Sequence, residues 1–152
     1  MEKILKLFNR HKIRYLLIGG QAMRLEGLPR FSMDWDLYIP PRDIDNIENI
    51  NNLLDDILDL PLQPIGAKGQ YFVQTYQTTC GIIQFHLGGP GLPPFDEAEA
   101  ESVWHQVEDG LSVRCLSARH LLSSKKAANR PQDQVDIEFL KEKLKLHEEQ
   151  VL

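Results

Sequence analysis

Cysteine is scarce in this chain: 152 residues contain two, Cys80 and Cys115, and they form no Cys-x-x-Cys spacing. That argues against a disulfide framework and a thiolate zinc site. Two reduced, part-buried thiols without a disulfide partner are expected instead. No apolar run approaches the roughly 18 residues of a membrane span. The opening Met1-Glu2-Lys3-Ile4-Leu5-Lys6 reads as the start of an amphipathic helix and lacks the apolar stretch of a secretory leader. The expectation is a soluble, cytoplasmic protein with no membrane partner. Ten glycines and nine prolines without a period exclude a collagen-like or low-complexity chain. A broad positive field is missing too, since the formal net charge is −5.

What is present suffices for a packed core. The hydrophobic share is 42% and the charged share 26%, well outside the disordered class. The length predicts one domain over residues 1–152, with a helical C-terminal portion at about 117–150. Charge is unevenly spread: +5 over residues 1–30, −12 over 31–110 and +2 over 111–152. An acidic middle between basic ends disfavours a non-specific nucleic-acid coat. It is compatible with a cation held by carboxylates and faced by basic groups, and equally with helix faces that differ in sign.

Hydrophobic periodicity supplies the order of elements. Ile4, Leu5, Leu7 and Phe8 mark a short amphipathic helix over 2–11. Tyr15–Ile18 reads as a buried strand stopped by Gly19-Gly20, and Gln21–Glu26 as a helix closed by Gly27. Asp34–Ile39 alternates as a second strand. Ile44, Ile47, Ile50, Leu53, Leu54 and Ile57 share a helical core face. Strands are expected at Tyr71–Gln77 and Gly81–Leu87, and a loop at Gly88–Pro94. Val103–Val107 and Leu111–Leu116 flank the hairpin dipeptide Asp109-Gly110. Ser117 caps a helix through Ala128, and Pro131 opens a last helix with Val135, Phe139, Leu140 and Leu144 inward. This interleaving predicts an α/β (α+β) fold, a mixed sheet flanked by helices.

One segment carries chemistry: Ile18-Gly19-Gly20-Gln21-Ala22, followed by Arg30-Phe31-Ser32-Met33-Asp34-Trp35-Asp36. On a strand, Asp34 and Asp36 project from the same face. Two adjacent carboxylates repel unless a cation sits between them, and Mg²⁺ suits carboxylate oxygens while keeping positions for phosphate. Gly19-Gly20, where a strand turns into a helix, leaves bare N–H groups and a helix N-terminus for a phosphate chain.

These residues resemble the nucleotidyltransferase superfamily that includes DNA polymerase beta. More narrowly, they are similar to the small bacterial group related to the AbiEii toxins and minimal nucleotidyltransferases, whose pattern is apolar-Gly-Gly-x-Ala, then Arg-x-Ser/Thr-x-Asp-x-Asp. A second block, Leu121 through Lys125-Lys126-Ala127-Ala128-Asn129-Arg130 to Asp133 and Asp136, is similar to that group's Lys-x-x-Ala…Arg-x-x-Asp-x-x-Asp pattern. The resemblance implies the nucleotidyltransferase fold and Mg²⁺-dependent transfer of a nucleoside monophosphate from a nucleoside triphosphate. The acceptor is left open among tRNA, a protein hydroxyl and a small molecule, with a toxin–antitoxin connection in view. It implies Asp34 and Asp36 as catalytic metal ligands, and Gly19, Gly20, Arg30 and Ser32 as the nucleotide-binding set. Lys125 would reach a phosphate, and Asp133 matches the acidic position after it. Arg30 is either a phosphate contact or the partner that orients Asp34.

The chain departs from the pattern at one place. Active members carry a third carboxylate on a neighbouring strand, where this sequence offers Gln84 and His86. His86 is either a general base or a strand-end residue bonded to its surroundings. A catalytically degenerate nucleotide- or partner-binding module is therefore the alternative reading. Asp133 and Asp136 also fit simple helix-start capping, and Lys125, Lys126 and Arg130 a solvated basic face. Trp35 should lie in the core, and His11, His105, His120 and His147 at the surface or in satisfied positions. A haloacid dehalogenase-like Asp-x-Asp-x-Thr motif is spoiled by Tyr38, and a dinucleotide fingerprint by the missing Gly-x-Gly-x-x-Gly spacing.

Overall fold

The run Leu16-Leu17-Ile18 has nowhere to go but the interior, and it forms the short strand β1 (Leu16–Ile18), buried along its whole length. The computed structural model describes residues 1–151. β1 pairs antiparallel with β2 (Asp34–Tyr38), placing Ile18 opposite Asp36. β2 in turn runs parallel to β4 (Gly81–His86), with Asp36 opposite Gln84 and Tyr38 opposite His86. β3 (Val73–Thr78) closes that side of the sheet, antiparallel to β4. On the other side β1 pairs parallel with β6 (Leu111–Cys115), which forms a hairpin with β5 (Val103–Glu108). The sheet has six strands in the order β3-β4-β2-β1-β6-β5, with β2 and β1 at its centre.

Among the described residues six helices accompany the sheet: α1 (Glu2–Arg10), α2 (Gly19–Glu26), α3 (Ile44–Leu53), α4 (Phe95–Ala100), α5 (Ala118–Ala128) and α6 (Gln134–Val151). α2 starts at the two glycines, two residues earlier than the apolar spacing indicates, and Gly27 closes it in a left-handed conformation. Ser117 caps α5 by accepting from the His120 N–H. The Asp43 side chain caps α3, accepting from the Asn46 N–H. The helix stops at Leu53, so Ile57 falls in the turns that follow, and Ile44 at the first turn is 47% exposed. α4 follows the Gly88–Pro94 loop directly, a short helix that the sequence periodicity does not mark.

Pro131–Asp133 forms a 3-10 turn ahead of α6. Asp133, Asp136, Ile137 and Leu140 take the inward face of this segment. Their spacing turns Val135 outward, where it is 67% exposed, against the inward position expected for it. Fully buried Phe8, Leu16, Leu17, Leu37 and Phe85 fill the core, with Trp35 half-buried against it. Both cysteines are free, and burial pushes the Cys115 thiol up to about 12. Among the described residues no helix is long and apolar enough to cross a membrane.

Part of the charge asymmetry has a structural use remote from the catalytic candidates. Arg14, just before β1, bonds Asp43 at 3.0 Å, Asp96 at 2.5 Å and Glu99 at 3.1 Å, and stacks over the Phe95 ring. The hydrogen bonds that Arg14 donates to Glu99 lead the causes that raise the guanidinium pKa, against the opposing cost of burial. One basic residue thereby ties α3 and α4 to the start of the central strand.

Candidate active site

β1 ends where Ile18 is still extended, and the chain then breaks sharply at Gly19, whose φ is +73°. A side chain is excluded there twice over. The backbone lies in the left-handed region, and a Cβ would fall 2.4 Å from Asp36 Oδ2. At Gly20 a Cβ would lie 2.7 Å from Ser32 Oγ. The glycines are therefore bare because the Asp36 carboxylate and the Ser32 hydroxyl occupy the space above them. The Ser32 hydroxyl donates to the Asp34 carbonyl, and buried Gln21 donates from Nε2 to the Ser32 carbonyl at 2.9 Å. Gln21, the unspecified residue of the Gly-Gly-x-Ala pattern, thus pins the loop that delivers Asp34 and Asp36.

A cavity of about 570 Å³ opens over this corner. Gly19, Gly20, Arg30, Ser32, Asp34, Asp36, Gln84, His86 and Lys125 all line it, so the structure gathers every predicted site residue except Asp133. Leu92, Leu116 and Leu121 form an apolar side, which the motif reading missed because they come from a loop, a strand end and a helix far apart in sequence. Arg130 and Gln132 complete the polar rim. The Gly88–Pro94 loop packs closely on α5 at Gly91, where a Cβ would strike the Ser123 carbonyl oxygen at 2.5 Å.

Both residues at the alternative third position face the cavity. Gln84 stands beside Asp36 in register, and His86 Nε2 lies 2.8 Å from Asp36 Oδ1. An ionised carboxylate only accepts, so Nε2 carries the hydrogen in this pairing. His86 therefore donates to Asp36 here, leaving Nδ1 as its other ring nitrogen. Among the described residues no three His, Cys, Asp or Glu side chains converge as a metal cluster. The donor set available to a cation is the Asp34–Asp36 pair, with the rest of an oxygen shell open to phosphate or water.

Behind the cavity wall lies a second charged group. Asp133 and Asp136 are each 1% exposed. Arg130 grips Asp133 with two side-chain bonds of 2.9 and 3.0 Å and a backbone N–H at 3.1 Å. Lys125 Nζ sits 3.5 Å from Asp133 and 3.0 Å from Asp136. Arg30 Nη1 reaches Asp136 at 2.5 Å, so its carboxylate partner is Asp136 and not Asp34. Asp133 faces these cations and not the cavity.

Hydrogen bonding from the Arg130 side chain outweighs burial and holds the Asp133 carboxyl at about 2, below its ordinary 3.8. A lowered folded-state pKa stabilises the protein fully above the unfolded value, and the effect is lost as pH falls through the folded one. Asp133→Asn is therefore expected to be less stable than the parent at pH 7. The gap should close between about pH 4 and pH 2 in denaturant titrations. A gap independent of pH would show that the ionised carboxylate is not its source.

The remaining histidines lie away from the cavity lining. His11 and His147 are exposed as expected. His120 is instead 4% exposed, its Nε2 is 2.9 Å from Glu101, and its Nδ1 has no partner. His105 sits 3.4 Å from buried Glu26, which Lys143 also contacts.

No family model and no curated protein matches the sequence. Among solved structures, the chain is similar to the candidate nucleotidyltransferase TM1012 of Thermotoga maritima, with a TM-score of 0.62 and 13% identity over 94% of this chain and 89% of that one. It is also similar to the lincosamide antibiotic adenylyltransferase LnuA in its lincomycin-bound form, with a TM-score of 0.59 and 19% identity over 91% and 92% of the two chains. The six-stranded mixed sheet with its flanking helices is the nucleotidyltransferase fold.

Proposed function

We propose that this protein is a nucleotidyltransferase that moves a nucleoside monophosphate from a nucleoside triphosphate to an acceptor hydroxyl. The observation that carries this reading is the meeting, in one cavity, of the glycine corner, the Asp34–Asp36 pair and the cations Arg30 and Lys125. The corner offers backbone N–H groups at the start of α2 to a phosphate chain. Arg30 and Lys125 supply opposite charge to that chain and to departing pyrophosphate. Asp34 and Asp36 would hold Mg²⁺, which when bound neutralises phosphate charge and polarises the phosphoryl oxygens. His86 holds Asp36 in place, and the Leu92–Leu116–Leu121 side offers an apolar wall for a planar base. The acceptor oxygen attacks the α-phosphorus as its proton passes to water, and the bond to the pyrophosphate oxygen breaks with its electron pair leaving on pyrophosphate, so charge and atoms balance without a covalent enzyme intermediate.

The narrower placement beside the AbiEii-type and minimal nucleotidyltransferases rests on the Arg30–Asp36 and Lys125–Asp136 patterns. It favours tRNA or protein acceptors and a toxin–antitoxin role. LnuA, named for a lincosamide antibiotic, brings a small-molecule acceptor into the same range. A second reading, a nucleotide-binding module without turnover, draws on Gln84 and His86 standing where a third carboxylate would act.

Incubation with each α-labelled nucleoside triphosphate, Mg²⁺ and a cell lysate distinguishes them. Label carried into one macromolecular or small-molecule fraction, with stoichiometric pyrophosphate, is the expected result. Tight nucleotide binding with no release under any acceptor would instead favour the binding module.

A further inference from the structure

We propose that Asp136 is a positioning residue of this site, a buried anchor that fixes Arg30 and Lys125 as a paired clamp for polyphosphate. The inference rests on the nucleotidyl-transfer reading above. Asp136 itself lies outside the cavity lining and is 1% exposed, so it does not contact a ligand there. The two cations it holds both reach the cavity. They come from separate parts of the fold, Arg30 from the segment before β2 and Lys125 from α5, while Asp136 belongs to α6.

The charge arrangement makes Asp136 the shared partner. Asp133 is already taken by Arg130 through two side-chain bonds, and Lys125 lies closer to Asp136 than to Asp133. Arg30 has no other carboxylate partner among the described residues. Without the Asp136 charge, two like charges would face each other with only Asp133 nearby, and Arg30 would be free to swing toward solvent. Both cations meet the same oxygen, Asp136 Oδ2, so one full negative charge offsets two positive ones. An amide of the same shape can keep an oxygen at that point but not the charge that offsets the repulsion between the two cations. Asp136→Asn is thus expected to release one member of the pair while leaving side-chain volume unchanged.

Calorimetric titration of the full chain with inorganic tripolyphosphate tests this without needing an acceptor or turnover. Asp136→Asn should weaken binding about tenfold, the size expected when one charge-assisted contact is lost. In an Arg30→Gln, Lys125→Gln background the same change should cost less than about twofold, because nothing is left to position. A purely structural anchor would give equal losses in both backgrounds, and that result would overturn the proposal. Asp136→Glu keeps the charge but displaces it by one methylene, so it guards against a misfolded Asn variant. It should fold and bind about threefold more weakly, and unaltered affinity in a folded Asp136→Glu would equally overturn the assignment. If the parent binds tripolyphosphate and Asp136→Asn binds it as well, this inference fails while nucleotidyl transfer stands. A parent that binds no tripolyphosphate removes both.

Discussion

Asp36→Asn is expected to lower pyrophosphate release at least about 10³-fold, equivalent to about 4 kcal/mol of barrier, with little change in fold. The substitution is isosteric, and Asp36 lies on a central strand flanked by buried Leu37, so packing has no reason to change. Its electrostatic effect is large. One of the two carboxylates available to a cation is lost, and His86 Nε2 exchanges a charged acceptor at 2.8 Å for a neutral one. Asp34→Asn should behave similarly through the first of these causes. The check is a pyrophosphate-release assay with the labelled acceptor, beside a thermal melt showing a midpoint within a few degrees of the parent, as expected for a change of about 0.5 kcal/mol. An Asp36→Asn variant with parental release would place the reacting centre elsewhere.

Gly19→Ala is expected to damage both activity and stability, for two separable reasons. Its φ of +73° disfavours any residue with a Cβ, at a cost of about 1–3 kcal/mol. The added carbon would also stand 2.4 Å from Asp36 Oδ2, a distance no real contact tolerates, so the carboxylate must shift from its place. A loss of about 10²-fold in kcat/KM is expected from that displacement alone, since misplacing a reacting-centre group by about 1 Å has this effect. Gly110→Ala supplies the control. Its φ is +80° in the β5–β6 hairpin, and a Cβ there would meet nothing within 4 Å. It should share the backbone penalty in chemical denaturation and retain full activity. Equal activity losses in the two variants would mean that instability, and not the Asp36 contact, accounts for the Gly19 result.

Much of the scaffold was legible because its signals are local. The apolar run at Leu16–Ile18, the cap at Ser117, the stop at Gly27 and the Asp109-Gly110 turn each act within a few residues, and the chain follows them. The periodic reading failed where a tertiary partner competed with it. Val135 yielded the inward face to Asp133 in the 3-10 turn and Asp136 in α6, because their cations lie on that side. His120 was open between a surface and a satisfied position, and α5 turns it inward with Leu121, its Nε2 near Glu101 and its Nδ1 without a partner. Arg30 was open between two roles, and only the arrival of α6 beside it shows which carboxylate it meets.

By itself, the sequence determined that two carboxylates share one strand face beside a glycine break, since strand pleat and glycine's missing side chain act over two or three residues. The tertiary structure decided which charges answer them. His86 meets Asp36 across 50 residues and Arg30 meets Asp136 across 106, distances over which no periodicity carries information. Those meetings follow from strand order and helix packing, where burial of the apolar faces fixes the geometry and the charged side chains find partners within it.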